Sequence, residues 1–221
     1  MNIKAIKGLK YPDEYFIKFF FKFGLHTKNP LKFLELGCSN GCNLMLAYEY
    51  AHSVVGVDFE PMLIEYANEN FALLNKNNSY DFYAEAMREF CASSSDIQAD
   101  VLLLISSIYY IPKEDFIKQL QNIKCNKLIK KNIPFFIRVR ELDDFRYAKG
   151  EKVEENSYIL QNGVTGEDGV FCAFYETQEM IDILQKELGL RDFQTMHLQY
   201  DNIQNGVKVK SSEVVIWGTI N

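Results

Sequence analysis

Apolar residues in this chain gather into short dense runs, and the spacing within each run sets the element it predicts. Leu31, Phe33, Leu34 and Leu36 read as a first strand, and Val54, Val55 and Val57 as a second. Positions 80–83 and 134–140 read as further strands. Val101–Ile105 is an unbroken apolar run behind Asp100, the pattern of a central parallel strand covered on both faces. Helices are predicted from about Asp13, over 42–51, after Pro61, whose fixed φ suits a first helical turn, and over 113–123. Thr177 is placed to cap a further helix carrying Met180, Ile183 and Leu184, and 193–200 and 213–219 alternate as strands. From Glu141 to Tyr175 the periodicity is lost, and Gly150, Gly163, Gly166 and Gly169 collect among charged residues. A connection so long and irregular in a compact domain is usually functional, so 141–176 reads as a substrate lid.

No repeat, low-complexity tract or linker divides the chain. It reads as a single α/β domain: a helical N-terminal cover at 1–30, a core at 31–140, the lid, and a closing helix with two strands at 177–221. With 221 residues and 48% hydrophobic content, it can bury one substantial core. The net charge of -6 argues against non-specific attraction to nucleic acid. The apolar stretch at 16–23 is interrupted by Lys18 and Lys22 and falls short of a bilayer span, so no membrane partner is expected. Five cysteines, an odd number without a signal-peptide pattern, disfavour a disulfide framework and point to the cytoplasm. Cys38 and Cys42 lie four apart, but no second Cys/His pair follows at ligand spacing, so no metal site is expected.

The candidate chemistry concentrates in residues 31–62. Gly37 and Gly41 break the chain between strand and helix, where a backbone must approach a ligand closely and free N–H groups open the helix. Asp58 ends the second strand, where a carboxylate can hold both ribose hydroxyls of a nucleoside. Glu35, two residues before the first glycine, decides which nucleoside: it would repel a pyrophosphate and attract an ammonium group. A dinucleotide loop also requires G-x-G-x-x-G, whereas Ser39 and Cys42 stand at its second and third glycine positions. ELGCSNG, followed by VVGVDFEPMLIEYA, resembles motif I and the acidic loop of class I S-adenosylmethionine-dependent methyltransferases, with Ser39 where their usual loop has a glycine.

The resemblance implies a Rossmann-like, seven-stranded, mostly parallel sheet with helices on both faces and a C-terminal antiparallel hairpin. It also implies S-adenosylmethionine as cofactor and a small-molecule acceptor. Carried over residue by residue, Glu35 faces the methionine ammonium, directly or through water, and Gly37, Ser39 and Gly41 lie along the methionine and ribose. Asp58 binds the ribose hydroxyls, and Phe59 and Met62 flank adenine and sugar. YAEAM at 83–87 resembles the third motif, in which Glu85 would accept from the adenine amine, with Ala86 beside it; Ser106, after the fourth strand, completes the cofactor set.

The segment beyond the fourth strand bears on the acceptor. Methylases of nucleic-acid base amines carry an Asp/Asn-Pro-Pro-Tyr motif there, which holds a flipped base. This chain has ISSIYYIP at 105–112, which resembles small-molecule methyltransferases instead. Tyr109 and Tyr110 are candidates for the acceptor wall, although neighbours in a turn face different ways and one should pack inward. Tyr11 and Tyr15 resemble that group's N-terminal cover over the acceptor. Arg138 and Arg140 share one face of their strand and Arg146 follows; they would either pair with Glu141, Asp143 and Asp144 or bind an anionic acceptor. A neutral hydroxyl acceptor would need a base, for which Tyr110 and His197 are the candidates. FRYAKGE, YETQEM and VVIWG look like bacterial methyltransferases of capsule and cell-surface saccharide pathways, which makes sugar and phosphoryl oxygens, including phosphoramidates, the leading acceptors. Two other classes stay open. One is an NAD-dependent reductase, which Glu35 and the missing glycines disfavour; the other is a non-catalytic regulatory protein that binds S-adenosylmethionine.

Overall fold

The computed structural model describes residues 3–74 and 76–221; the first two residues of the N-terminal cover lie outside that range. Asp13 opens α1 (Glu14–Lys22) by accepting from the N–H groups of Tyr15 and Phe16, both at 2.9 Å. Then come β1 (Lys32–Leu36), α2 (Cys42–Glu49), β2 (Ser53–Asp58), α3 (Pro61–Leu74), β3 (Tyr80–Ala84), α4 (Met87–Ser93), β4 (Val101–Ile105), α5 (Lys113–Cys125) and β5 (Ile133–Arg140). After β5 the chain makes β6 (Gly150–Glu154), β7 (Ser157–Leu160), β8 (Phe171–Ala173), α6 (Thr177–Leu188), β9 (Arg191–Gln204) and β10 (Val207–Ile220).

The main sheet has the order β3-β2-β1-β4-β5-β10-β9, parallel through β5, with β10 antiparallel to both its neighbours. The strand order reverses between β1 and β4, so the connections leaving their carboxyl ends diverge and open a crevice. Side-chain alternation builds a core on each face. Val101, Leu103 and Ile105 of β4 pack with Phe16, Phe19 and Phe20 of α1 and with α2 and α3, while Leu102 and Leu104 face α4, α5 and α6. Gly56 on β2 is required by close packing, since a Cβ there would collide with the Phe82 ring and the Cys38 sulfur. Among the described residues no helix is long and apolar enough to cross a membrane.

Four sequence expectations change. The 141–176 segment is not irregular: β6, β7 and β8 form a second, antiparallel sheet. β6 is largely exposed, so its residues carry no alternation to read. The closing strands are also longer than 193–200 and 213–219, meeting at a two-residue turn of Asn205 and Gly206, both at positive φ. β9 is an exposed edge strand beyond Leu198, where apolar pattern fades. Glu176, not Thr177, caps α6 in a reciprocal box with Glu179, and the Thr177 hydroxyl instead donates to Glu141 at 2.7 Å. The short helix α4 was not predicted.

Candidate active site

The turn after β1 is shaped by contacts that leave no room for side chains. Gly37 has φ +81°, and a Cβ there would fall on the Cβ of Ser107, whose hydroxyl donates to the Leu36 carbonyl at 2.7 Å. Gly41 opens α2 at φ +76°, with the Phe71 ring against its α-carbon. Ser39, at the position where the resembling loops carry glycine, also adopts a left-handed backbone, with φ 50°. Its N–H donates to Asp58 Oδ2 at 2.8 Å, and the Glu60 N–H donates to Oδ1 at 3.1 Å. Asp58 is thereby fixed at the end of β2, and each oxygen keeps a lone pair for a further donor.

These residues floor a cleft of about 550 Å³ at the carboxyl ends of β1, β2 and β4. Gly37, Ser39, Asp58 and Ser106 supply its polar side, and Phe59, Leu63, Ala86, Met87 and Ile111 its apolar walls. A hollow of about 330 Å³ shares Gly37, Ser39 and Ser106 and runs on to Tyr11, Asp13 and Asn43. Four predicted members line neither: Gly41, packed under Phe71 at the start of α2, Glu35, and Met62 and Glu85. Met62 is half exposed on the first turn of α3, and Leu63, one residue on, turns into the cleft instead. Glu85 does not line the cleft; its backbone N–H donates to the Asp58 carbonyl at 2.9 Å, which ties β3 to β2 and leaves Ala86 as the lining residue.

Glu35 is fully buried one side chain behind the hollow. Asn43, which lines the hollow, donates to Glu35 Oε1 at 2.7 Å, and Oε2 has no hydrogen-bond partner among the described residues. Burial pushes the Glu35 carboxyl up to about 8, Asp13 and Asp58 add to the rise, and the Asn43 hydrogen bond opposes it. The same Asn43 accepts from the Asp13 N–H at 2.8 Å. Asn40 donates to the carbonyls of Lys7 (2.6 Å) and Leu9 (2.8 Å), and Asn70 accepts from the Lys7 N–H (2.9 Å), so three asparagines strap residues 7–13 over the loop. Sequence reading missed all three. Their signal was polar residues at buried positions of otherwise apolar helices and turns. The two loop thiols are buried as well, and burial pushes Cys42 up to about 12.

At the other end of the cleft, Tyr109 and Tyr110 part as neighbours in a turn must. Tyr110 lines the cleft, whereas Tyr109 is buried and lies beneath the Arg140 guanidinium, 4.4 Å from ring centre to Cζ. Arg140 also donates to Cys172 Sγ at 3.3 Å, to the Tyr110 hydroxyl at 3.3 Å and to Glu167 Oε1 at 2.7 Å. Arg146 pairs with Asp144 at 3.0 Å and with Glu167. Arg138 is held between Asp13 and Glu213, which corrects its placement in an acceptor site: two carboxylates from α1's cap and β10 already neutralise it. Of the partners expected for the arginines, only Asp144 serves; Glu141 and Asp143 pair with His197 and Lys210.

Tyr15 does not line the cleft or the hollow and packs its ring against Lys18 and Arg138, whereas Tyr11 lines the hollow. His197 is corrected as a candidate base. It sits on β9 in a separate surface depression, its Nδ1 2.9 Å from Glu141, because β9 is the far edge of the sheet.

Residues 33–126 match the family model of a methyltransferase domain, a segment that contains every residue lining the larger cleft. No curated protein matches the chain in sequence. Among solved structures, the chain is similar to a SAM-dependent methyltransferase from Methanosarcina mazei, with a TM-score of 0.67 and 15% identity over 90% of this chain and 98% of that one. It is also similar to TehB from Haemophilus influenzae, with a TM-score of 0.68 and 12% identity over 99% of this chain and 65% of that one. A third similar structure is the 1,6-didemethyltoxoflavin-N1-methyltransferase of Burkholderia thailandensis, with bound 1,6-didemethyltoxoflavin and S-adenosylhomocysteine. It has a TM-score of 0.56 and 16% identity over 92% of this chain and 76% of that one. At such identities the likeness is one of fold. Beside it stands the methyltransferase-domain match, which spans residues 33–126 of the 221. The matched domain is a methyltransferase's and not a reductase's.

Proposed function

We propose that the larger cleft and the hollow together hold S-adenosylmethionine, and that the enzyme methylates an oxygen of a small anionic molecule. Asp58 takes the ribose hydroxyls, Phe59, Leu63 and Met87 enclose the adenine, and the amino-acid part enters the hollow toward Asn43 and Glu35. The unpartnered Glu35 oxygen is what an ammonium group would satisfy. Bound there, the cofactor supplies an electrophilic methyl group on a sulfonium. The chain's own residues align the acceptor and exclude water.

The carrying observation is the pair of guanidiniums, Arg140 and Arg146, at the Tyr110 end of the cleft. The ionisable groups lining the cleft are Asp58, Glu60 and Tyr110, and burial pushes the Tyr110 hydroxyl well above its ordinary value. Asp58 is taken by the ribose in this reading, and Glu60 follows it at the same end of the cleft, so neither is assigned as a base for the acceptor. An oxygen that already carries negative charge needs none, and its attack cancels opposite charges, which a water-poor site favours. The resemblance to capsule and cell-surface saccharide enzymes puts phosphorylated sugars and phosphoramidates first among the acceptors. Mass spectrometry of reactions with S-adenosylmethionine should show methylated product from these and not from matched neutral sugars. Product from neutral or amine acceptors alone would refute the reading.

A further inference from the structure

Arg140 and Arg146 share one carboxylate, Glu167, and that carboxylate differs from their other partners. Arg140 is braced by the Tyr109 ring and by Cys172 on β8. Arg146 is braced by Asp144, itself buried and fixed by the N–H groups of Arg146 (2.9 Å) and Ser212 (3.1 Å). These partners belong to the framework. Glu167 instead sits in the 161–169 loop between β7 and β8, where Gly163, Gly166 and Gly169 all have positive φ and a Cβ on any of them would meet nothing. The loop is folded on itself, with Asp168 accepting from the N–H groups of Asn162 (2.7 Å) and Gly163 (3.1 Å). From this projecting loop Glu167 reaches inward to both guanidiniums, and it accepts from the hydroxyl of the cleft-lining Tyr110 at 2.8 Å.

Burial alone would raise the Glu167 carboxyl, but the Arg140 charge and the hydrogen bonds from both arginines outweigh it and hold the group at about 2. It is therefore an anion at neutral pH. Without it the two guanidiniums would face a single remaining carboxylate, Asp144, and one positive charge would stand uncompensated beside the cleft. A two-oxygen anion bridging two arginine forks is also the geometry in which a phosphoryl or carboxylate group binds.

We infer that Glu167 is a built-in stand-in for the acceptor's anionic group: it occupies the Arg140–Arg146 subsite in the resting protein, and the acceptor's phosphoryl or carboxylate oxygens displace it. This rests on the anionic-acceptor reading above and adds to it a residue that competes with substrate. Displacement turns Glu167 outward on its glycine-bounded loop while Tyr109, Cys172 and Asp144 keep the arginines in place. The subsite thus admits only molecules whose anion outcompetes a tethered carboxylate, which discriminates against neutral analogues.

The test uses the full chain saturated with S-adenosylhomocysteine and inorganic phosphate as the probe. Calorimetry should show phosphate binding at least about tenfold tighter to Glu167→Gln than to the unsubstituted protein, and weaker to Arg140→Ala. Hydrogen exchange needs no substitution: phosphate should speed exchange across 161–169 in the unsubstituted protein. Equal affinity for the unsubstituted protein and Glu167→Gln, with loss in Arg140→Ala, overturns the competition and leaves the anion subsite standing. Unchanged exchange at saturating phosphate overturns it likewise. No phosphate binding by any of the three proteins overturns both the subsite and the inference built on it.

Discussion

The two ends of the cleft are closed in different ways. Over the hollow, residues 7–13 are strapped down by Asn40, Asn43 and Asn70, and Arg138 is clamped between Asp13 and Glu213, all on well-packed elements. At the Tyr110 end, Arg140 is met by Glu167 from a glycine-bounded loop. Arg138 and Arg140 are two residues apart on β5, so sequence spacing treats them as equivalent. Their partners make one a structural cross-link and, on the inference above, the other an exchangeable contact. A buried charge is informative about function only once the mobility of its counter-charge is known.

The contrast can be broken first at its foundation. Gly37→Ala adds a Cβ at φ +81° on top of Ser107, so it should cost about 3 kcal/mol or more and lower the thermal midpoint steeply. A midpoint near that of the unsubstituted protein would mean the turn is not as tight as described. The arginine comparison is next. Arg138→Met strands Asp13 and Glu213 and should cost about 3 kcal/mol in urea unfolding, whereas in Arg140→Met Glu167 keeps its pair with Arg146, for about 1 kcal/mol. Equal costs would remove the distinction between the two ends.

Glu35 sharpens the comparison through pH. Its carboxyl is raised from an ordinary 4.5 to about 8, so between those values the folded protein holds a proton that the unfolded chain has released. Stability of the cofactor-free protein should therefore fall as pH rises from about 5 to 8, and Glu35→Gln should flatten that decline. Binding of S-adenosylhomocysteine near pH 7 should release a proton, visible as a buffer-dependent calorimetric enthalpy, because its ammonium favours the carboxylate. A buffer-independent enthalpy would place Glu35 outside the cofactor's reach. The smallest effect is at Ser39, whose left-handed backbone Ser39→Gly would relieve, for a net gain of about 0.5 kcal/mol after the added chain entropy.

How much was legible in the sequence divides along the same line. β1, β2 and β4 are buried on both faces, so their apolar runs declared them, and Gly37, Asp58 and Ser106 stand in the cleft at their carboxyl ends. Leu63 rather than Met62 lines the cleft, and such a one-residue offset on a first helical turn is not encoded in apolarity, both being apolar. The 141–176 segment was unreadable because its strands are short and β6 is solvated. Glu167 therefore looked like one more charge among glycines. Arg138 and Arg140 were found, but their partners come from residues 13, 213 and 167, and pairing at that distance leaves no local pattern.

The most direct measurement is a calorimetric titration of S-adenosylhomocysteine into the unsubstituted protein, Asp58→Ala and Arg140→Ala, with circular dichroism to establish that each is folded. If the cleft has a cofactor end at Asp58 and a separate acceptor end at Arg140, Asp58→Ala should bind roughly a hundredfold more weakly, the loss of charge-assisted hydrogen bonds, while Arg140→Ala binds as before. Unchanged affinity in folded Asp58→Ala, or an equal loss in folded Arg140→Ala, would contradict that division.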